Sequence, residues 1–362
     1  MKFFVAACAA LLSILVLHEP ALADNHQSNW ADRIVFKGDT RLRHERIDED
    51  GEEDRARMRF RLRFGFATTI VEDVDFVVRL ASGGDNPVST NQSFDDGFST
   101  KDIGIDQAYI KWAAADGLDL FAGKMPTPMF KAGKVPLIWD SDLNVEGFAL
   151  KYASGMFFGS LGGYSVEERG SADDSLLYSA QGGLKFDVAD GAKLTVGAGY
   201  FAYTNTIGNE PFYNGRSKGN TVDVDGNLVY DYENTEAFAQ FDTKLGDWPF
   251  QVYAHYTVNN EVDAEDTAYA FGAKIGSAKK QGTQQFSWTY QDIEADAVIA
   301  TFNDSDFGGG GTDSDGHMLK YKYMLRDQIS LGGTLMINSV DRFQGTEHDY
   351  NRLQLDVEFK FK

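Results

Sequence analysis

The chain has 362 residues, of which 34 are Lys or Arg and 55 are Asp or Glu, so its net charge at pH 7 is −21. A chain this acidic is a poor partner for nucleic acid, because phosphate groups repel it. Aromatic residues are abundant (27 Phe, 16 Tyr and 5 Trp), and the single cysteine, Cys8, lies so early that the rest of the chain cannot form a disulfide.

The first 23 residues have the pattern of a secretory signal peptide. Lys2 precedes an apolar stretch from Phe3 to Leu17, and Ala21-Leu22-Ala23 matches an A-x-A cleavage site. We predict that residues 1–23 are removed and that residues 24–362 form a single domain. Beyond the cleavage site, no apolar run reaches the about 18 residues that a membrane-spanning helix needs.

Apolar and polar residues then alternate with a period of two, which predicts β-strands. In RARMRFRLRF, residues 55–64, arginine stands at every second position and an apolar or small residue stands between each pair. The same period recurs at residues 73–80, 250–259, 285–291, 319–325 and 352–361. A helical apolar stripe never continues for three turns.

The connections between these strands alternate between long and short. The eight long ones are residues 48–54, 82–101, 124–144, 167–174, 204–233, 259–265, 292–315 and 340–348. The seven short ones are residues 71–73, 114–117, 153–155, 189–191, 245–247, 277–279 and 326–327. Strict alternation of long and short connections is not expected of a soluble β-sandwich. The pattern predicts an all-β transmembrane barrel of 16 antiparallel strands, with short periplasmic turns and long extracellular loops.

In such a barrel the arginines of residues 55–64 would line the lumen and the apolar residues between them would face lipid. If Gly51 centres the first hairpin, Asp39 and Glu45 fall opposite Arg63 and Arg57. Opposed arginines repel one another, so carboxylates or a passing anion must offset them. The predicted pore-lining residues of the strands are Arg41, Arg43, Arg57, Arg59, Arg61, Arg63, Arg79 and Lys111, with Lys151, Lys185, Lys320 and Lys322 at further inward positions.

The third long loop, KMPTPMFKAGKVPLIWDSDLN (124–144), is unusually apolar and contains three prolines, which stiffen it. Folding into the lumen would bury its apolar residues, so we predict that this loop constricts the pore. Lys131, Lys134, Asp140 and Asp142 would then meet the arginines. The alternative is a loop that packs over the barrel mouth or into a subunit interface.

Acidic residues concentrate in other long loops. The first loop, DEDGEED (48–54), has six carboxylates, and the seventh contains Asp304, Asp306, Asp313 and Asp315. We predict an acidic outer rim around a basic lumen wall. The rim would be a solvated face, or one bridged to lipopolysaccharide phosphates by divalent cations.

Residues typical of an enzyme are not evident in the sequence. None of the histidines after residue 23 has a recognisable serine and acid partner. D-x-D-G occurs at 223–226 and 313–316, but neither continues to the Glu of a calcium-binding EF-hand loop, so we interpret both as turns. We expect no catalytic residue, metal or cofactor.

Several stretches resemble the Gram-negative "putative porin" family, which is similar in style to general and phosphate-selective sixteen-stranded porins. They are GDTRLRHERID (38–48), DRARMRFRLRFGF (54–66), RLASGGDNPVSTNQSFDDGFSTKDIGIDQAYIKW (79–112), GLDLFAGKMPTP (117–128), WDSDLNVEGFALKY (139–152) and NRLQLDVEFKF (351–361). The resemblance implies passive diffusion of small hydrophilic solutes and ions across the outer membrane, and usually a homotrimer. The chain departs from the family by ending in Lys362 rather than an aromatic residue, so we expect slower assembly at most.

Two functions remain open on the sequence. The first is a porin whose arginines favour anions slightly. The second is a structural or adhesive barrel whose acidic loops bind cations, lipopolysaccharide or a partner, without an open pore.

Overall fold

Antiparallel β-strands dominate residues 33–361, which are the residues that the computed structural model of the chain describes. The predicted signal peptide, residues 1–23, lies outside this range. Within the range, no helix is both long enough and apolar enough to cross a membrane.

The strands follow one another with few interruptions. Those of the first half are β1 (Ile34–Glu49), β2 (Arg55–Val71), β3 (Val74–Ser82), β4 (Gln92–Ser93), β5 (Ile103–Ala115), β6 (Leu118–Pro126), β7 (Asn144–Ser154), β8 (Phe157–Glu167) and β9 (Ser175–Ala189). Those of the second half are β10 (Ala192–Tyr203), β11 (Glu233–Leu245), β12 (Trp248–Asn259), β13 (Thr267–Gly276), β14 (Gln284–Ile293), β15 (Ser314–Arg326), β16 (Ile329–Val340) and β17 (His348–Phe361). Single-turn 3-10 helices occur in the loops at Asp96–Phe98, Ala132–Lys134, Ala300–Phe302 and Phe307–Gly309.

The sheet closes on itself. Strands β1 and β17 pair antiparallel from Gly38–Phe361 to Glu49–Tyr350, and the other long strands pair with their neighbours along the chain. The two-residue β4 pairs only with β2. The remaining 16 strands of the described chain form the barrel, which confirms the predicted fold. Closure pairs each of these 16 strands of residues 33–361 on both sides.

Long and short connections alternate around the barrel as the sequence predicts. We name the long loops L1 (50–54), L2 (83–102), L3 (127–143), L4 (168–174), L5 (204–232), L6 (260–266), L7 (294–313) and L8 (341–347). The connections at the other end have two residues each, except residues 277–283 between β13 and β14, where we predicted only residues 277–279.

The pleat of each strand decides which side chains face the lumen. On β2, Met58 and Phe64 are exposed on the outer surface, whereas Arg61 is buried and Arg59 and Arg63 are half-buried. An apolar exterior and a polar interior are the arrangement expected of a membrane barrel with a hydrated lumen.

The apolar core of the molecule lies inside the barrel. Buried residues of three loops pack together and against the inner faces of β9 to β13. They include Leu137, Ile138 and Trp139 of L3, Phe212 and Leu228 of L5, and Val298, Ile299 and Phe307 of L7. Burial of each such side chain contributes about 1.5–3 kcal/mol of stabilising free energy. The apolar side chains of these loops therefore keep them inside the lumen.

Candidate functional site

Loop L3 is held against the inner wall by side chains that bind its backbone. The backbone N–H of Phe130 donates to Gln181 Oε1 at 2.7 Å, and its carbonyl accepts from Gln181 Nε2 at 3.0 Å. The N–H of Gly133 donates to Gln240 Oε1 at 2.9 Å, and its carbonyl accepts from Lys274 Nζ at 3.0 Å. Since Gln181 lies on β9 and Lys274 on β13, L3 lies along that side of the lumen.

Apolar packing anchors the second half of L3. Trp139 is 2% exposed. Its ring meets Phe201 edge-on with a centroid distance of 4.6 Å, and its Nε1 donates to the Tyr203 hydroxyl at 2.9 Å. The segment predicted as the loop, 124–144, is shorter here, because β6 continues to Pro126 and β7 begins at Asn144.

The two lysines of L3 differ in their surroundings. Lys131 Nζ donates to the carbonyls of Trp139, at 2.7 Å, and Asp140, at 3.2 Å, and so closes the loop on itself. Burial lowers the pKa of Lys131 to about 8, although nearby carboxylates oppose the shift. Lys134 is exposed, and no side chain in residues 33–361 accepts a hydrogen bond from its ammonium group.

Asp140 does not face the arginines, so that prediction is wrong. Its carboxylate accepts from the backbone N–H groups of Asp142, at 2.7 Å, and Ser305, at 2.8 Å, and thereby joins L3 to L7. Burial first, and then the carboxylates of Asp304 and Asp142, raise the pKa of Asp140 to about 8. The apolar packing of L3 and L7 places this carboxylate between the two loops instead of in the lumen.

Asp142 does reach an arginine. Its Oδ1 lies 3.3 Å from Arg63 Nη1, and its Oδ2 accepts from the Thr90 hydroxyl of L2 at 3.2 Å. Arg63 also pairs with Asp39 at 2.9 Å, and the same carboxylate pairs with Arg61 at 2.7 Å. The link therefore joins L2, L3 and β2.

Seven arginines share one side of the lumen, and we call this group the arginine wall. Its members are Arg41 and Arg43 of β1, Arg57, Arg59, Arg61 and Arg63 of β2, and Arg352 of β17. Carboxylates are interleaved with them, namely Asp39, Glu45, Asp306, Asp356 and Glu358. Arg352, Asp356 and Glu358 were not among the predicted site residues. These three residues alternate with outward-facing residues on β17, and β17 lies beside β1 in a closed barrel. This pattern in the sequence could have identified them.

Ion pairs neutralise most of the arginine wall. Glu45, which is fully buried, lies 2.5 Å from both Arg57 and Arg352. Arg43 pairs with both oxygens of Asp356, at 2.8 and 2.9 Å. Buried charges are tolerated when each is paired and hydrogen-bonded in this way.

L7 contributes a carboxylate to the same network. Asp306 lies 3.0 Å from Arg43 and 2.8 Å from Arg352. Burial alone would raise the pKa of Asp306, but the guanidinium groups of Arg352 and Arg43 outweigh it and hold the pKa below its usual range. Asp304 and Asp313 are buried as well. The predicted outer rim is therefore wrong for these residues, since apolar packing draws L7 inward.

Two members of the arginine wall lack a close carboxylate. Arg41 lies 4.0 Å from Asp356 and donates to Asn91 at 2.6 Å, and Arg59 lies 3.8 Å from Glu45. The Nε atoms of both have no hydrogen-bond partner within residues 33–361. These two guanidinium groups are therefore less fully neutralised than the other members of the arginine wall.

The remaining predicted cations lie on other strands. Three are paired: Arg79 with Asp106, Lys111 with Asp119 and Lys322 with Glu358. Lys185 lies over the ring of Phe158, 4.8 Å from its centroid. Neither Lys151 nor Lys320 has an ion-pair partner in the described part of the chain.

The D-x-D-G motif at 223–226 lies in L5 and forms a turn. Asp223 Oδ1 accepts from the backbone N–H groups of Asp225 and Asn227, both at 2.9 Å. Across residues 33–361, no group of three or more His, Cys, Asp or Glu side chains is arranged to hold a metal ion.

Comparison with solved structures finds proteins with this fold, a porin among them. OprB of Pseudomonas putida is 15% identical, with 93% of this chain and 96% of that chain covered and a TM-score of 0.63. A triple mutant of the Rhodopseudomonas blastica porin is 12% identical, with 91% and 100% covered and a TM-score of 0.52. A loop-deletion mutant of OmpT, an outer membrane protein of Vibrio cholerae, is 12% identical, with 91% and 99% covered and a TM-score of 0.50.

Comparison with curated protein sequences finds no significant match. The sequence profile of the "putative porin" family matches residues 46–227 and 221–361, which together span most of the chain. The barrel, the inward loop and the charged lumen agree with this match, and the chain belongs to the "putative porin" family.

Proposed function

We propose that the protein is an outer-membrane porin through which small hydrophilic solutes and ions diffuse passively, with a slight preference for anions. The observation that carries this proposal is a closed barrel with an apolar exterior and a lumen lined by charged side chains. Membership of a porin family supports the channel function and the outer-membrane location. The same two findings favour a channel over an enzyme.

The electrostatics of the lumen support the preference for small polar solutes. The arginine wall and its interleaved carboxylates create a field across the lumen that orients polar solutes and holds ordered water. An apolar solute cannot replace that water. Arg41 and Arg59, together with the unpaired Lys134, Lys151 and Lys320, leave an excess of positive charge along the path, which favours anions.

We also assign the constriction to L3, with Asp142 and Lys134 on the loop side and the arginine wall opposite. L7 narrows the lumen further, because Asp306 reaches across to Arg43 and Arg352. A solute must pass between these loops and the inner wall.

Family resemblance further suggests a homotrimer in a bilayer that contains lipopolysaccharide. The exposed acids Glu52, Glu53 and Asp54 of L1 would attract the divalent cations that bridge lipopolysaccharide phosphates. The exposed apolar residues on the barrel exterior would meet lipid or a second copy of the chain.

Planar-bilayer recordings under a tenfold KCl gradient test the proposal. We expect stepwise conductance and an anion-selective reversal potential. Arg59→Ala combined with Arg61→Ala should shift the selectivity towards cations, because Asp39 and Glu358 lose a partner. Arg46→Ala, at an exposed arginine that pairs with Asp54, is the control. Unchanged selectivity in the double variant would show that the arginine wall has no role in permeation.

A second function, a structural or adhesive barrel, is favoured by one observation. L3, L5 and L7 fill the lumen beside β9 to β13 with apolar side chains, as a plug would. Swelling of proteoliposomes in sugars separates the two functions, because a plugged barrel excludes sugars that a porin admits.

A further inference from the structure

A cavity of about 290 Å³ lies between the tip of L3 and the inner faces of β12 to β17. Four of the cations that line it lack a close carboxylate, and one of these, Lys274, donates to the Gly133 carbonyl at 3.0 Å. Arg41 is 4.0 Å from the nearest carboxylate, and neither Lys134 nor Lys320 has an ion-pair partner within residues 33–361. The cavity thus has free positive charge on both the L3 side and the wall side.

The carboxylates of the same cavity are already engaged. Asp356 binds Arg43 through both oxygens, and Glu358 binds Lys322 at 2.8 Å and Arg61 at 3.3 Å. Their negative charge is therefore balanced by those partners, and the charge available to a passing solute is positive.

Neutral polar side chains cover much of the remaining surface. They come from β14 and β16 and include Gln285, Ser287, Thr289, Gln291, Ser330 and Thr334. Gln291 is fully buried, yet neither atom of its amide has a hydrogen-bond partner in the described part of the chain. A buried amide without a partner is costly, so this wall retains capacity to bind a polar ligand.

We propose that this cavity is a binding subsite for small hydroxylated carboxylates. Arg41, Lys134 and Lys320 bind the carboxylate group, since guanidinium and ammonium groups both form charge-assisted hydrogen bonds with it. The amide and hydroxyl side chains of β14 and β16 bind the hydroxyl groups. A bare inorganic anion would use the cations but leave this second set unused. The inference rests on the proposed function, because a solute must enter the lumen to reach the cavity.

This arrangement differs from a constriction with opposite charges on its two sides. The tip of L3 presents Lys134 to Arg41 and Lys320 of the wall, whereas the acids of L3 lie elsewhere, with Asp142 at Arg63 and Asp140 at the junction with L7. Cations on both sides retain an anion instead of only orienting it.

Block of the single-channel chloride current is the test. Potassium gluconate, a hydroxylated carboxylate, should block at lower concentration than potassium acetate or potassium phosphate, and the neutral polyol sorbitol should not block. Lys320→Gln should raise the half-blocking concentration of gluconate about fourfold, which is the Boltzmann factor of one unit charge at about 5 Å in water. Lys101→Gln, on L2 away from the cavity, should leave it unchanged.

The outcomes separate the subsite from the channel. Normal conductance, with equal block in Lys320→Gln and Lys101→Gln, overturns the subsite and leaves the proposed porin standing. Acetate or phosphate blocking as well as gluconate also overturns it, because the hydroxyl-binding wall would then contribute nothing. No conductance in the wild-type protein overturns both proposals. Lys320 is exposed, so its replacement should not prevent folding, and heat-modified gel migration of the barrel checks this.

Discussion

Replacing Asp306 with asparagine removes one negative charge at the place where L7 meets the arginine wall. The wild-type carboxylate lies 2.8 Å from Arg352 and 3.0 Å from Arg43, and their side chains are only 3% and 5% exposed. Because these guanidinium groups hold the pKa of Asp306 below its usual range despite its burial, the carboxylate is ionised throughout the working pH range. The substitution therefore removes a full charge with little change in shape.

Two magnitudes follow from the geometry. Removing one partner of a buried pair costs about 3–5 kcal/mol. Arg43 keeps Asp356 and Arg352 keeps Glu45, so we expect the lower end, about 3 kcal/mol, for the docking of L7. One unit charge acting at about 5 Å in water changes the local energy of an ion by about 0.8 kcal/mol, which is about fourfold in the permeability of that ion.

The assay is the reversal potential in a planar bilayer under a KCl gradient. We expect Asp306→Asn to raise the ratio of anion to cation permeability about sixteenfold, because the anion gains and the cation loses about fourfold. We also expect the variant to make L7 more susceptible to protease. Asp304→Asn is the matched control on the same loop. Asp304 is buried and forms no ion pair with the arginine wall within residues 33–361, so its replacement should change selectivity less.

An unchanged reversal potential in Asp306→Asn would refute the reasoning, because a charge on the solute path must alter ion selectivity. Equal shifts in both variants would also refute it. In that case the effect would come from disturbing L7 and not from the charge on the arginine wall.

Three further predictions concern L3. Trp139→Ala should cost about 3–5 kcal/mol of docking and increase the single-channel conductance, and an unchanged conductance would argue against L3 as the constriction. Gly133→Ala places a Cβ atom 2.5 Å from the Tyr253 ring, whereas the control Gly155→Ala has nearly the same positive φ but lies in open space. Only Gly133→Ala should therefore alter the conductance. Equal effects of the two variants would show that backbone strain alone is responsible. The pKa of Asp140 is raised from 3.8 to about 8 when L3 is docked, so the docked loop binds a proton more readily than the free loop, and docking should weaken as pH rises from about 4 to about 8. Hydrogen exchange of L3 should therefore be faster, relative to the intrinsic rate, at pH 9 than at pH 6. Asp140→Asn should flatten this difference.

Local patterns in the sequence were sufficient for the barrel itself. Alternation with a period of two depends only on neighbouring residues, and it predicted the strands and the alternation of long and short connections. The connection at 277–283 is longer than the predicted 277–279. Its end is held by backbone hydrogen bonds of Gly282 and Thr283 with Met324 of β15, which local turn residues do not reveal. Alternation also assigned Arg59, Arg61 and Arg63 to the inner face.

Some ion pairs of the arginine wall join residues that are close in the sequence, and others join residues that are far apart in it. Asp39 and Glu45 belong to the same hairpin as their partners. Placing the turn of that hairpin at Gly51 was therefore enough to predict that Asp39 lies near Arg63 and Glu45 near Arg57. Arg352, by contrast, reaches Glu45 only because β17 closes onto β1, across about 300 residues of chain.

Loop conformation was the part that only the tertiary structure decided. The apolar composition of L3 indicated burial, but it could not specify which wall the loop would meet, and Asp140 was therefore assigned to the arginine wall wrongly. L7 folds inward with it, so Asp306 becomes part of the lumen instead of an acidic rim. The physical reason is that strand alternation is set by local backbone geometry, whereas the position of a loop depends on side chains that meet only after the barrel has closed.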